Sequence, residues 1–385
     1  MEQIKVAFVG IGGYGGTVLQ EIFEKSLQGF EIVSVVDPYA DRSICYDAVC
    51  KMGIPQYNSM EEMYKEGILP ELVVIATPIQ YHTEQILCAL EHGSNVLCEK
   101  PVTGDKEDIA ILEEMQKKSG KFVAIGYQWS YSSPIQKLKK DIMAGKYGQA
   151  KFLKGLVFWP RNKSYFKRST GWAGKIYASN GKKICDSIVN NATAHYIHNM
   201  LYLLGKDTDS SMAAKDVKAT LLRVNDIETF DTATVRFHFE NGAEGLLVVS
   251  DSTKSTVEPQ FEYNFEKGKI VYDAESANIR GILNDGQTVE YGDPFSEGAA
   301  NKFYRCLDSI RRKEKNVLCG IEAAKEQVYF VDKLHAFNSI KNVKKEKVQL
   351  VDDFLVVDGL DIALQECYRE NKLLEETDYF KEIIE

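Results

Sequence analysis

The segment CDSIVNNATAHYIHNM, residues 185–200, gathers Cys185, Asp186, Asn191, His195 and His198 into a short stretch. A histidine is the side chain whose ordinary pKa, about 6.5, suits proton transfer near neutrality. An amide four residues earlier, Asn191, stands one helical turn away and can orient it. His195 and His198 at i, i+3 share a helical face with Cys185 and Asp186 upstream, and zinc uses such groups. The segment that follows is largely apolar and matches no known zinc spacing, so no metal is expected. The third reading of His195 is a histidine satisfied in a core. The choice depends on what the rest of the chain builds around it.

A second constellation opens the chain. In VAFVGIGGYGG the glycines Gly10, Gly12 and Gly15 follow an apolar run at the G-x-G-x-x-G spacing. The first glycine permits a tight turn, the second a close backbone approach to a pyrophosphate, and the third close helix–strand packing. Gly13 and Tyr14 lie inside the same loop, and the helix start supplies N–H donors to phosphate. The next strand ends in Asp37, whose carboxylate can accept from both adenosine ribose hydroxyls and repels a 2′-phosphate. NAD is therefore expected over NADP, although Arg42 nearby softens the preference and Asp37-Pro38 would also start a turn.

These residues need elements to hold them. Up to residue 127, short apolar runs (IKVAFVG, FEIVSVVD, LVVIATP, NVLCEKP, KFVAIGY) alternate with helical spacings that end in glycine. That alternation predicts a doubly wound parallel sheet. Beyond a linking helix near 134–145 the pattern turns strand-rich. TATVRFHFENGAEGLLVVSD reads as a hairpin across Asn241-Gly242, and FEYNFEKGKIVYD as another near Lys267-Gly268. Helical patterns resume at NKFYRCLDSIRRK and IEAAKEQVYFVDKLHAF. Two domains are expected, 1–128 and 129–385, the second an α+β domain with an open-faced, mostly antiparallel sheet and helices on one face. Residues 345–385 add a strand and a helix whose role the pattern does not give.

The net charge is −9 with no basic stripe, which excludes nucleic acid as a partner. No apolar run approaches the length of a membrane span. Eight cysteines without a Cys-x-x-Cys pair, and no leader at the start, point to free thiols in the cytoplasm.

At ATPIQYHTEQILCALEHGSNVLCEKP, with GIGGYG before it and HYIHNMLYLLG after it, the chain resembles the Gfo/Idh/MocA oxidoreductases. The likeness is strong over about residues 3–130 and looser over the next two hundred. It implies a Rossmann domain followed by a sheet domain, homodimers or homotetramers formed through that sheet, and NAD(P)-dependent chemistry on a sugar, polyol or sugar acid. It makes Lys100 the active-site lysine. It also places Thr77, Pro78, His82, Glu99, Gln128 and Trp129 along the cofactor, with Ser130 where arginine is frequent. His195, ten residues before Gly205, takes the catalytic histidine position. Asn191 replaces the usual aspartate, and His198 stands where aspartate is common.

Asn191 can orient an imidazole but cannot stabilise imidazolium by charge. Elsewhere such a replacement costs about 10⁴ in rate. Asp186 is the carboxylate that could reach His195 instead. Making Lys100 a base near pH 7 needs a shift of about three pKa units, roughly 4 kcal/mol, whereas histidine needs almost none. His195 is thus expected as acid/base and Lys100 as the cation that polarises the oxygen. WPRNKSYFKRSTGWAGK, residues 159–175, adds Arg161, Tyr165, Arg168, Trp172 and Lys175 as sugar-binding candidates with Asp186 and His198. Two alternatives remain: a glycoside hydrolase that cycles bound NAD, and a non-catalytic sugar or nucleotide sensor.

Overall fold

The computed structural model describes residues 3–25, 28–167 and 171–384. Two compact units form. The first comprises Met1–Ser132 and Glu297–Lys325, the second Ser133–Ser296 and Glu326–Glu385. Glu297–Lys325, far along the chain, thus belongs with the first unit.

The first unit holds six strands: β1 (Ile4–Val9), β2 (Phe30–Val36), β3 (Gln56–Tyr57), β4 (Leu72–Ile75), β5 (Asn95–Cys98) and β6 (Val123–Ile125). They pair in the order β3-β2-β1-β4-β5-β6, all parallel. Every residue of β4, β5 and β6 is buried, which is why these runs are continuously apolar rather than alternating. Helices α1 (Gly13–Lys25), α2 (Tyr46–Lys51), α3 (Met60–Lys65), α4 (His82–Glu91) and α5 (Glu107–Ser119) connect them. The strand order reverses between β1 and β4, so the loops leaving those strands open a crevice at their carboxyl ends.

The second unit is built on nine strands: β7 (Ala150–Phe158), β8 (Ala214–Arg223), β9 (Thr232–Phe239), β10 (Glu244–Ser250), β11 (Val257–Phe265), β12 (Gly268–Asp273), β13 (Asn278–Leu283), β14 (Thr288–Gly292) and β15 (Ile340–Asn342). Their order is β14-β13-β12-β11-β7-β10-β9-β8-β15. Pairing is antiparallel except for β7–β10 and β8–β15. The β9–β10 hairpin turns at Asn241-Gly242 as expected, with Gly242 at φ +85°.

Helix Ala194–Leu203 packs on one face of this sheet, where the Met200 side chain lies over Gly155. On the other face, Leu156, Phe158, Leu246 and Val248 share a core with Leu360, Leu364, Cys367 and Phe380. The C-terminal stretch left without a role by its pattern therefore covers the centre of that second face, with Lys154 Nζ donating to the Tyr368 carbonyl at 3.0 Å.

Toward β14 the packing is tight. A Cβ at Gly281 would stand 1.8 Å from the Tyr147 hydroxyl. That hydroxyl bonds to Tyr291, which donates to Asp141 Oδ2, each at 2.7 Å. Gly281→Ala is expected to lower stability by about 1–3 kcal/mol through overpacking, read from urea denaturation. An unchanged midpoint would contradict this packing.

Candidate active site

The first-unit candidates cluster at the carboxyl ends of the parallel strands. Gly10 leaves β1 at φ +81°, and a Cβ there would meet the Ala76 and Thr77 backbone at 2.9 Å. A Cβ at Gly15 would lie 2.1 Å from the Gly10 carbonyl, so α1 can follow β1 this closely only with glycine. A Cβ at Gly13 would meet nothing within 4 Å, so the space beside the first turn of α1 is open there. At the end of β2, Asp37 Oδ2 accepts from the N–H of Ile11 (2.9 Å) and Gly12 (3.2 Å), so the carboxylate also braces the glycine loop. The Arg42 guanidinium sits 4.6 Å over the Tyr39 ring.

Beyond β4, the Thr77 hydroxyl donates to Gln85 (2.6 Å) and Pro78 leads into the turn before α4. His82 is buried, its ring nitrogens 2.8 Å from the Pro101 carbonyl and 2.9 Å from that of Thr77. Burial holds its pKa below the usual histidine value although the carbonyls pull the other way. It thus clasps the loop after β4 to the segment after β5. There Glu99 and the half-buried Lys100 precede a cis Lys100–Pro101 bond.

Glu99 reveals a residue that the sequence did not. Lys302, from the returning helix Asn301–Arg311, is buried and places its ammonium 2.5 Å from Glu99 Oε1. The ammonium also lies 3.2 Å from the Tyr14 hydroxyl, which donates to Gln128 Oε1 at 3.0 Å. Burial alone would lower the Lys302 pKa, but Glu99 and Tyr14 outweigh it and hold the ammonium above the ordinary lysine range. One buried cation therefore ties together the glycine loop, the Glu-Lys-Pro segment and the turn after β6. Trp129, beside Gln128, is buried.

In the second unit, a small cavity brings together Arg161, Tyr165, Asp186 and Asn191, four of the expected residues. Parallel pairing of β7 with β10 sets the segments after both strands side by side, where the Arg161 N–H donates to the Asp251 carbonyl (2.9 Å). Asn191 lies in turns ahead of the helix that begins at Ala194, not in the helix itself, because its N–H and that of Asn190 both fold back on the Ser187 carbonyl. Its amide donates to the Tyr165 hydroxyl at 2.9 Å. Asp186 Oδ2 accepts from the Gly174 N–H at 2.7 Å. His195 is half-buried near the start of the helix.

Other candidates lie elsewhere. His198 is buried and stacked on Tyr202, its pKa pressed down to about 3 by burial and Lys139, which makes it a neutral core histidine. Lys175 pairs with Glu228 (3.0 Å). Trp172 is half-buried outside the cavity lining, and Arg168 lies outside the described residues.

The cavity also holds residues without a sequence motif. Asp251 is buried, and its Oδ1 has no hydrogen-bond partner. Burial pushes its carboxyl well above the usual carboxylate range. Arg161 pulls it back, while Asp231 and Asp186 push it further. Ser187 is buried too, its hydroxyl equally unpartnered. Among the described residues, no three His, Cys, Asp or Glu side chains are grouped to hold a metal ion, and no helix is long and apolar enough to cross a membrane.

Known proteins match both units. Residues 4–127 fit the oxidoreductase family with an NAD-binding Rossmann fold, and residues 135–271 the GFO/IDH/MocA C-terminal domain. The inositol 2-dehydrogenase of Leifsonia xyli is 30% identical over 154 residues, 40% of this chain and 44% of that relative, so the match spans less than half its length. The glucose-6-phosphate 3-dehydrogenase of Bacillus subtilis is 22% identical over 83% of this chain and 89% of its own. The fold is shared with the WlbA dehydrogenase from Chromobacterium violaceum in complex with NADH and UDP-GlcNAcA, at a TM-score of 0.71 and 19% identity over 87% of this chain and 93% of that one. Matched along both its units, the chain belongs to the Gfo/Idh/MocA family of oxidoreductases.

Proposed function

We propose that this protein is an NAD-dependent dehydrogenase of a sugar, polyol or sugar acid, with Lys100 and His195 as its catalytic residues. The observation that carries this reading is the convergence of the glycine loop, Asp37, Thr77 and the Glu99-Lys100 pair at the carboxyl edge of a parallel sheet, at its switch point. Gly10, Gly12, Gly13 and Gly15 would hold the pyrophosphate and Asp37 the adenosine ribose. The Asp37 carboxylate favours NAD over NADP. Bound nicotinamide supplies the hydride acceptor.

The protein's own groups do the remaining work. The Lys100 ammonium stabilises negative charge growing on the substrate oxygen. His195 takes the hydroxyl proton. Asn191, being neutral and bonded to Tyr165, contributes orientation and no charge. Arg161, Tyr165 and Asp186 hold the substrate.

We further infer a cytoplasmic home, in keeping with eight free cysteines. We also infer a homodimer or homotetramer formed through the part of the second sheet face that the C-terminal stretch leaves uncovered, around Glu262, Lys269 and Arg280. A monomeric mass in sedimentation would remove the oligomer.

The test is a panel of sugars, polyols and sugar acids with purified protein, run with NAD and NADP side by side and read as absorbance of the reduced cofactor. The expected result is NADH formation with at least one compound and a lower rate with NADP. Release of a hydrolysed glycoside with no net NADH would replace this reading by the hydrolase, and cofactor binding without any turnover by the sensor.

A further inference from the structure

We propose that Asp353, at the tip of a C-terminal hairpin, is a positioning residue for the substrate: it holds the short helix that sets Tyr165 against Asn191. This rests on the dehydrogenase reading, in which Arg161, Tyr165 and Asp186 hold the substrate.

The helix needs outside support. Lys163–Phe166 is four residues long. A single helical turn fixes several dihedrals for almost no internal hydrogen bonding, so it does not persist alone. Its first N–H groups must find acceptors elsewhere. The Asn162 side chain takes the Tyr165 N–H at 2.9 Å. The next two acceptors belong to Asp353, which stands 189 positions beyond Ser164. Its carbonyl takes the Lys163 N–H at 2.8 Å. Its Oδ2 takes the Ser164 hydroxyl at 2.7 Å and the Ser164 N–H at 3.1 Å. Beside them Asn162 and Phe354 form an antiparallel bridge. The Ser164 hydrogen bonds, with Lys163 and Lys167 nearby, hold the Asp353 carboxyl below the usual carboxylate range, so it is an acceptor at neutral pH.

The hairpin delivers that carboxylate from a fixed base. Strands β16 (Val348–Val351) and β17 (Phe354–Val357) pair from Val348↔Val357 to Val351↔Phe354, which leaves Asp352-Asp353 as a two-residue turn. The two residues have φ of +46° and +70°. Such turns need positive φ at both positions, and aspartate tolerates it. At the other end of β17, Val357 is buried in one core with Leu360 and Leu364 and donates to the Ser252 carbonyl at 3.2 Å.

The consequence lies in the cavity, which Tyr165 and Phe166 line together with Arg161, Asp186 and Asn191. Tyr165 is the joint. Its hydroxyl accepts from the Asn191 amide at 2.9 Å, and its ring lies under the Arg161 guanidinium, 4.9 Å from the centroid. Asn191 in turn stands four residues before His195. Asp353 is not in the lining itself and acts through the helix. Hairpin, helix and cavity all belong to the second unit. The C-terminal stretch therefore serves the substrate site as well as the sheet face.

The experiment uses the full chain saturated with NAD. Asp353→Gly keeps the positive φ and the backbone carbonyl but removes the carboxylate. Asp353→Asn keeps an acceptor oxygen and tolerates the same φ. Kinetics are read as NADH formation with the compound that wild type oxidises fastest, from a panel that includes glucose, inositol and glucuronic acid. Amide exchange of the peptide 159–167 is followed by mass spectrometry without substrate. Asp353→Gly is expected to raise KM about tenfold, to change kcat less, and to speed exchange of that peptide. Asp353→Asn should recover most of both. An unchanged KM in Asp353→Gly, a fall confined to kcat, or unchanged exchange would overturn the proposal and leave the dehydrogenase standing. No NADH from any compound, with exchange faster in Asp353→Gly and recovered in Asp353→Asn, would remove the dehydrogenase and leave the clasp.

Discussion

His195→Ala is expected to lower turnover by about 10²–10⁴, the usual contribution of a positioned acid/base, while NAD binding stays within about twofold. The second half of that expectation follows from where the cofactor groups lie. The glycine loop, Asp37 and the Glu99–Lys302 pair all belong to the first unit, His195 to the second. Retained cofactor binding with lost turnover therefore separates a catalytic histidine from a merely structural one. The neutral side chain at position 191, four residues before His195, sharpens the forecast. Asn191→Asp would place a charge where this chain has none, and it should shift the pH profile of kcat toward alkaline pH by favouring imidazolium. Stopped-flow NADH formation and cofactor fluorescence read both quantities. A loss under tenfold in His195→Ala would remove His195 from the chemistry.

The second large effect concerns stability and the cofactor site together. Lys302→Met keeps the length of the side chain and removes its charge, depriving the Glu99 carboxylate of this counter-charge in a site where its side chain is 15% exposed. Removing one member of a buried pair typically costs about 3–5 kcal/mol. The Tyr14 hydroxyl also loses a partner, so NAD affinity should fall with stability. The double variant Lys302→Met/Glu99→Gln removes the stranded charge and should recover most of the stability, though not the affinity that depends on the tie to Tyr14. Chemical denaturation and NAD titration of both variants check this. A double variant no more stable than the single one would show that the pair is not what holds the segment.

What the sequence made legible was local. The glycine spacing after β1, the acidic end of β2 and the Asn241-Gly242 turn each depend on a few neighbouring residues, and their conformations follow from those residues' sterics. The parallel sheet was legible because buried parallel strands leave continuous apolar runs. Lys302 was not, since nothing near it in the chain marks a lysine destined for burial, and its partner Glu99 lies about two hundred residues earlier. Asp251 was hidden for a similar reason. Its surroundings come from the pairing of β7 with β10, which no local pattern encodes. His198 joins the substrate candidates because it stands where the resemblance puts an aspartate, and its spacing from His195 suits a shared face, but the helix from Tyr196 to Leu203 is buried on all sides. A 3.6-residue pattern cannot tell such a helix from one that offers a face to a cavity. The C-terminal stretch likewise became intelligible only once the second sheet face needed a cover.

In the proposed reaction hydride moves from a substrate carbon to NAD. This transfer is tested most directly with a compound from the panel deuterated at the carbon bearing the reacting hydroxyl, followed by mass spectrometry of the cofactor. Direct hydride transfer predicts that the NADH formed carries the deuterium and that its rate of formation falls with the label. NADH of natural mass, or deuterium appearing only in solvent, would contradict it.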